Sequence, residues 1–440
     1  MNIRKHLKEQ YNVTFNDNYD DTKLIDLFIN NIIDADCHDM EYKNMIGFYY
    51  QMIKKDYEKM KEYYMMAIKL GDRDAVTNLG YYYQCVEKDY EKMKEYYLMA
   101  IKLGDSDAMN NLGLYYKKIE KDYEKMKEYY LMAIKLGDSD AMNNLGLYYE
   151  EVEKDYDKMK EYYLMAIKLG DNDAMYNLGQ YYKKIEKDYD KMKEYYLMAI
   201  KLGDNDAMNN LGLYYKKIEK DYEKMKEYYL MAIKLGDSDA MYNLGFYYEE
   251  VEKDYDKMKE YYLMAIKLGD SDAMYNLGFY YEEVEKDYDK MKYYLLMAIE
   301  LQNSDAMCNL GLYYMNVEKD YERMKEYYLM AIKLQNSIAM NNLGYYYQSV
   351  EKDYDKMKYY YMMAVEMKNC HGMNNLEIFY KTKRSKNPNL EKRISLMKTE
   401  ICPICFMETK IIPFDCMLHY FCIDCTCQID KCALCRFPKN

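Results

Sequence analysis

The sequence predicts an all-α protein, a helical-repeat solenoid of about ten 33-residue helix-turn-helix units, followed by a small module organised by metal ligands. Three observations predict it. A 33-residue motif recurs without interruption through most of the 440 residues, and a fixed period of that length marks an array of small helical or mixed units. Only 4 residues are Pro while 32% are charged, a composition that reads as mostly helix because Pro is the strongest helix breaker. Finally, residues 402–440 hold closely spaced Cys pairs and a single His, the arrangement by which short chains bind zinc.

The unit is clearest over 105–137, DSDAMNNLGLYYKKIEKDYEKMKEYYLMAIKLG. Asp105 is placed to cap a first helix, along which Ala108, Leu112, Tyr115, Tyr116 and Ile119 recur at helical spacing. A short polar break is expected over 118–122, and Tyr123, Met126, Tyr130, Ala133 and Ile134 mark the apolar side of a second helix. Gly137 suits a left-handed C-terminal cap, and the position is Gly at 71, 104, 137, 170, 203, 236 and 269, then Gln302, Gln335 and Lys368. Small residues at Ala108, Gly113 and Ala133 allow close helix approach. One helix pair cannot bury its own apolar face, so stacking of the units over 39–368 must supply the core.

The pattern A-x3-L-G-x-Y-Y followed by D-Y-x-K-M-x3-Y-x2-M-A resembles Sel-one-like repeats, relatives of the tetratricopeptide repeat. The resemblance covers about three quarters of the chain and implies a solenoid that binds protein partners. The unit is shorter than the family's, without its inter-helix Gly-x-Gly, and Met126 stands where the family usually has Ala. A tightened turn and a larger helix contact are expected there. Residues 1–38 are expected to form an N-terminal helical cap, 39–380 the solenoid, 381–399 a basic linker and 400–440 the zinc module.

Composition excludes several classes. The net charge of −13 argues against broad nucleic-acid binding. No apolar run approaches the roughly 20 residues that span a bilayer, and Met1–Gln10 lacks the apolar core of a secretory signal. There is no Walker loop, no Gly-rich dinucleotide turn and no nucleophile–base pair, and the adjacent Cys37-His38 and Cys370-His371 lack ligand spacing. Cys concentrated at metal spacing points to a reducing compartment, cytosol or nucleus.

The C-terminal ligands are Cys402, Cys405, Cys416, His419, Cys422, Cys425, Cys432 and Cys435, spaced C-x2-C-x10-C-x2-H-x2-C-x2-C-x6-C-x2-C. Four ligand pairs suit two tetrahedral zinc ions, and with every position filled by protein the zinc is structural, leaving no open site for hydrolysis. Cys427 is a spare thiol one residue from another pair. With its His in fourth place the module resembles a RING finger.

That resemblance implies a cross-brace, with Cys402, Cys405, Cys422 and Cys425 on one zinc and Cys416, His419, Cys432 and Cys435 on the other. It implies contact with a ubiquitin-conjugating enzyme through Ile404, Ile429 and Ala433, the last standing where a Pro is usual, and positioning of the ubiquitin thioester by Arg436. RINGs on repeat proteins of this composition resemble those of large DNA viruses and protists, and a viral source would place the chain in host cytoplasm. The expected function is that of a RING-type ubiquitin ligase whose repeats recruit a protein substrate. The alternative is a non-enzymatic zinc-binding interaction scaffold.

Comparison among the units shows where a partner could be read. Most positions are nearly fixed, while three vary together along the first helix, four and then three residues apart and so on one face. The first includes Tyr176, Tyr242 and Tyr275; the second Phe246 and Phe279; the third Lys117, Glu150, Lys183, Lys216, Glu249 and Glu282. Tyr176, Tyr242, Phe246, Tyr275 and Phe279 are the candidate partner contacts, set against drift at tolerant surface positions.

Overall fold

The computed structural model describes residues 39–383 and two short segments, 411–413 and 420–422. The expected cap over 1–38, the linker beyond Lys383, and Cys402, Cys405, Cys416, His419, Cys425, Cys432, Cys435, Ile404, Ile429, Ala433 and Arg436 lie outside the described residues.

Helices alternate in length along the chain, from Met40–Tyr49 and Tyr57–Lys69 to Ser337–Tyr346 and Tyr354–Glu366, with a further helix at Cys370–Lys383. Packing divides the chain between Leu211 and Gly212 into two compact units, and each is built from the same helix pair. The repeat with first helix Ser106–Tyr115 and second helix Tyr123–Lys135 shows the local rules. The Asp105 carboxylate accepts from the Ala108 amide at 2.8 Å, and that of Asp122 from the Lys125 amide at 3.1 Å. Each satisfies an amide the helix itself leaves bare. The second helix stops at Gly137, whose φ of 85° lets the Asp138 amide fold back onto the Ala133 carbonyl at 3.2 Å. Gln302, Gln335 and Lys368 hold the same left-handed conformation, with φ near 60°, against the steric cost that a Cβ brings.

Ala108, Leu112, Met126, Tyr130 and Ala133 are fully buried. Gly113 is small because Tyr130 lies across it: a Cβ there would stand 2.7 Å from two ring carbons. The large Met and Tyr of the second helix therefore fill space that Gly and Ala of the first leave open, and Met126 in place of the family's Ala is a core contact.

The expected polar break over 118–122 is confined to Lys121 and Asp122. The first helix runs on through a wide turn, Tyr116–Glu120, closed by the Lys121 amide on the Tyr116 carbonyl. The Asp122 amide reaches the same carbonyl at 3.1 Å. An i→i+5 bond adds a residue to the turn and rotates the side chains beyond it, so Ile119, expected on the buried face, is 52% exposed. Lys121 ends the turn at φ 55°, a left-handed residue that recurs as Lys in every unit from Lys55 to Lys352.

Successive pairs are stitched at this turn. Tyr115 packs against Tyr90 of the preceding pair at 5.3 Å, and its hydroxyl donates to Glu120 at 2.8 Å. Glu120 also receives Lys94 of the preceding pair at 3.4 Å. Exposed ion pairs contribute at most about 1 kcal/mol each, whereas a buried Tyr or Leu contributes about 2. The apolar core holds the repeats together, and the polar stitches set their register.

Candidate partner face and zinc module

The variable positions of the first helices are first of all packing positions. In most repeats the first of them supplies an acceptor for the Asn one repeat on, though among the described residues Thr77 has no partner and Asn309 turns from Tyr275 to Glu282. Asn144 donates to Asn110 and Asn177 to Asn143, both at 3.0 Å. Where a Tyr stands instead, its hydroxyl takes the same place: Asn210 donates to Tyr176 at 3.2 Å and Asn276 to Tyr242 at 3.0 Å. In the Cys308 unit the thiol does so, at 3.7 Å from Asn342. Burial pushes that thiol up to about 12, so it is an inert packing group.

The third variable position faces the buried Tyr of the same unit, thirteen residues on. That phenol donates to Gln84 from Tyr97, to Glu150 from Tyr163, to Glu249 from Tyr262 and to Gln348 from Tyr361, at 2.7–2.8 Å. Burial, with a carboxylate beside it at Tyr163 and Tyr262, holds the hydroxyl protonated and able to donate. Lys117, Lys183 and Lys216 occupy the same position in three units, and an ammonium has no acceptor. In those units the hydroxyls of Tyr130, Tyr196 and Tyr229 are buried without a partner. Where Leu295 replaces the Tyr, Glu282 turns instead to Asn309 at 3.0 Å. Lys117→Gln is therefore expected to raise stability by about 1 kcal/mol by giving Tyr130 its acceptor. It gives up an exposed pair with Glu151 at 3.3 Å. Slower amide exchange across residues 106–135 and a higher melting midpoint would show the gain; an unchanged midpoint would refute it.

Of the three, the second variable position is the one with exposed side chains, at Tyr81, Phe279, Leu312 and Tyr345. Phe279 is 42% exposed, and Phe246 is half-buried. Tyr242 stacks on Phe246 at 6.3 Å and Tyr275 on Phe279 at 6.5 Å, both pairs in the second unit. Tyr176, in the first unit, stacks on Tyr196 at 5.8 Å and accepts from Gln180 at 2.7 Å. Of the expected partner contacts, Phe279 is thus the most available, while Tyr176 and Tyr242 also serve the Asn ladder. The charged third position was a signal that sequence comparison could have used, because the exchange at Leu295 coincides with the altered partner of Glu282.

At the C-terminus β1, Ile411–Pro413, pairs antiparallel with β2, Tyr420–Cys422, in the register Ile411 to Cys422, Ile412 to Phe421 and Pro413 to Tyr420. Cys422, an expected zinc ligand, ends β2; Cys416 and His419 belong to the stretch between the strands. Among the described residues no three His, Cys, Asp or Glu side chains gather to hold a metal, and no helix is long and apolar enough to cross a membrane.

Comparison with known proteins bears on the repeats. The Sel1 repeat model matches nine consecutive stretches, 73–105, 106–138, 139–171, 172–204, 205–237, 238–270, 271–303, 304–336 and 337–369. The preceding helix pair falls outside the match, and there Tyr42 stands in place of the Ala at 75 and 108. Among solved structures the chain is similar to a protective antigen of uropathogenic Escherichia coli displaying an SLR fold. Identity is 21%, 84% of this chain and 93% of that one are covered, and the TM-score is 0.45. It is similar also to a Sel1 repeat protein from Oxalobacter formigenes, at 24% identity over 51% of this chain and 99% of that one, with a TM-score of 0.42. An immunity protein from Pseudomonas aeruginosa matches at 23% identity over 45% and 81%, with a TM-score of 0.33. Comparison with curated protein sequences gives no match. Overlap at these scores does not by itself assign a family. The nine repeat matches do, together with the alternating helix pairs that they delimit: the chain belongs to the Sel1 repeat family, and its repeats are a scaffold for protein–protein interaction.

Proposed function

We propose that this chain is a RING-type ubiquitin ligase in which the Sel1 repeats recruit a protein substrate and the C-terminal module docks a ubiquitin-charged conjugating enzyme. The observation that carries the reading is the unbroken order of the eight ligands from Cys402 to Cys435, with His419 in fourth place. The donor set, seven thiols and one imidazole, fits zinc and no hard cation. The pairing of β1 with β2 is in keeping with it, because it closes a short ribbon whose ends bracket one Cys/His pair. Cys402, Cys405, Cys422 and Cys425 would hold one zinc, and Cys416, His419, Cys432 and Cys435 the other. Bound there, zinc supplies folding energy and no chemistry of its own.

Ile404 and Ile429 would provide the apolar contact for the conjugating enzyme, beside Ala433. Arg436 would donate from its planar guanidinium to carbonyls of the bound ubiquitin, restricting the thioester to a reactive pose. No covalent intermediate forms on this chain; a lysine of the substrate attacks the thioester. Ala433, where a Pro is usual, favours the second reading, a zinc-stabilised scaffold that binds without transferring ubiquitin. An autoubiquitination assay of the full chain across a panel of conjugating enzymes separates the two. Ladders support the ligase, and a zinc-loaded chain that yields none with any enzyme is a scaffold.

A further inference from the structure

Within the second unit, the repeat places one cation and omits the next. Lys216 lies over the ring of Phe246, its Nζ 4.7 Å from the centroid. Burial lowers the affinity of this amine for its proton, and the Lys217 charge adds to that, while Glu250 acts in the opposite direction. The unit therefore carries a working example of an ammonium held on an aromatic ring of this face beside a carboxylate. A shift of one 33-residue repeat maps Lys216 onto Glu249 and Phe246 onto Phe279. The residue that would cover the second ring is an acid. Glu249 instead accepts the buried hydroxyl of Tyr262 at 2.7 Å. No lysine or arginine covers Phe279 among the described residues, and the ring is 42% exposed.

The charge near that ring is mainly negative, with Lys286, paired to Glu283 at 3.7 Å, as an opposing cation. Glu282 follows Glu249 by one repeat, but Leu295 replaces the phenol that would have donated to it. Its carboxyl is held above the usual carboxylate range by burial and, less, by the charge of Glu283, while the Asn309 hydrogen bond and the Lys286 charge act in the opposite direction. Tyr275, stacked on Phe279, is raised by burial and by the negative charges of Asp305 and Glu282 around it. An exposed aromatic ring with carboxylates nearby attracts a cation through both the ring quadrupole and the charge.

Resting on the reading that the repeats recruit a protein, we propose that the face formed by Phe279, Tyr275, Glu249 and Glu282 binds a lysine or arginine side chain of a basic segment in the partner. The incoming cation takes, over Phe279, the place that Lys216 takes over Phe246. Charge complementarity commits the face to a basic peptide over an acidic or apolar one.

The test uses the full chain and a fluorescein-labelled dodecapeptide of alternating arginine and glycine, followed by anisotropy at 150 mM salt. Glu249→Lys transplants the Lys216 arrangement and should fill the site from within, weakening the peptide about tenfold or more, the scale of one desolvated cation–π contact with its charge partner. Phe279→Ala should weaken it by a similar factor. Glu128→Lys, an exposed change of the same charge in the first unit, should leave binding within about twofold, the small effect expected of a distant, screened charge. Equal losses in Glu249→Lys and Glu128→Lys would mean that the peptide senses only net charge and would overturn the site, as would absence of binding. Binding that appears only after Arg384, Lys392 and Arg393 are changed to Ala would assign the site to the chain's own basic stretch and overturn an external partner. Autoubiquitination on the same samples keeps the readings apart. Ladders without peptide binding sink this site alone, whereas peptide binding without ladders sinks the ligase and leaves the site standing.

Discussion

Tyr163→Ala is expected to destabilise the first unit by about 4 kcal/mol, the scale of a large aromatic removed from a packed core. The ring is fully buried, lies across Gly146 with no room for a Cβ between them, and donates its hydroxyl to Glu150 at 2.8 Å. Truncation opens a cavity between the two helices of one repeat and leaves a half-buried carboxylate without its donor. Because repeat arrays come apart regionally, the loss should appear as faster amide exchange across Ser139–Tyr148 and Tyr156–Lys168 before it appears elsewhere. Tyr163→Leu should cost about half as much, since Leu295 already serves in the equivalent place and volume-keeping swaps are the best tolerated. The opposite error, Gly146→Ala, would place a methyl 2.7 Å from two ring carbons. Overpacking of about 1–3 kcal/mol would then outweigh the roughly 1 kcal/mol gained in helix propensity. Gly278→Ala faces the movable side chain of Leu295 at 3.1 Å and should be nearly neutral. A Tyr163→Ala chain with wild-type exchange rates would refute the packing account.

These particulars show what a sequence discloses. The 33-residue period and the apolar spacing were enough to read the helix pair, its Asp cap and its Gly stop, because each depends on a residue and its near neighbours. The wide turn at Tyr116–Glu120 was not legible. It depends on Lys121 accepting a left-handed conformation, and no local preference of Lys announces that. The spacing of the three varying positions was legible, but not what each of them packs against. Gln84 and Lys117 look like interchangeable surface residues until the buried hydroxyls of Tyr97 and Tyr130 are seen to need an acceptor, and only Gln84 supplies one. A contact thirteen residues away on another helix has no signature in a single repeat, though it does in the comparison of many. At the C-terminus the ligand order carries the whole reading. A zinc module of the proposed kind would specify its fold through ligand spacing more than through apolar pattern.

On the proposed ligase reading, Cys402→Ala should abolish autoubiquitination outright and lower the zinc content of the purified chain, while leaving the helical circular dichroism of the repeats intact. The 34 residues from Cys402 to Cys435 are too few to build a core that folds alone. Structural zinc contributes on the order of 10 kcal/mol or more per site, so removing one thiolate removes most of what would hold the module together. Chelation of the wild type should do the same, reversibly. Arg436→Ala makes the sharper distinction. It lies beyond the last ligand, so zinc should be retained in full. Ladder formation should nevertheless fall at least about tenfold, as expected when a positioning contact to the thioester is lost. Arg436→Lys should restore little of it, because an ammonium cannot make the planar two-bond contact of a guanidinium. Loss of activity in Cys402→Ala alone would be compatible with any zinc-dependent fold. Loss in Arg436→Ala with zinc retained requires that the module act on ubiquitin, since that side chain has no part in holding the metal. A zinc-replete Arg436→Ala chain as active as the wild type would therefore remove Arg436 from the reaction, and absence of ladders from the wild type itself would leave the repeats as a scaffold with a zinc-bound end.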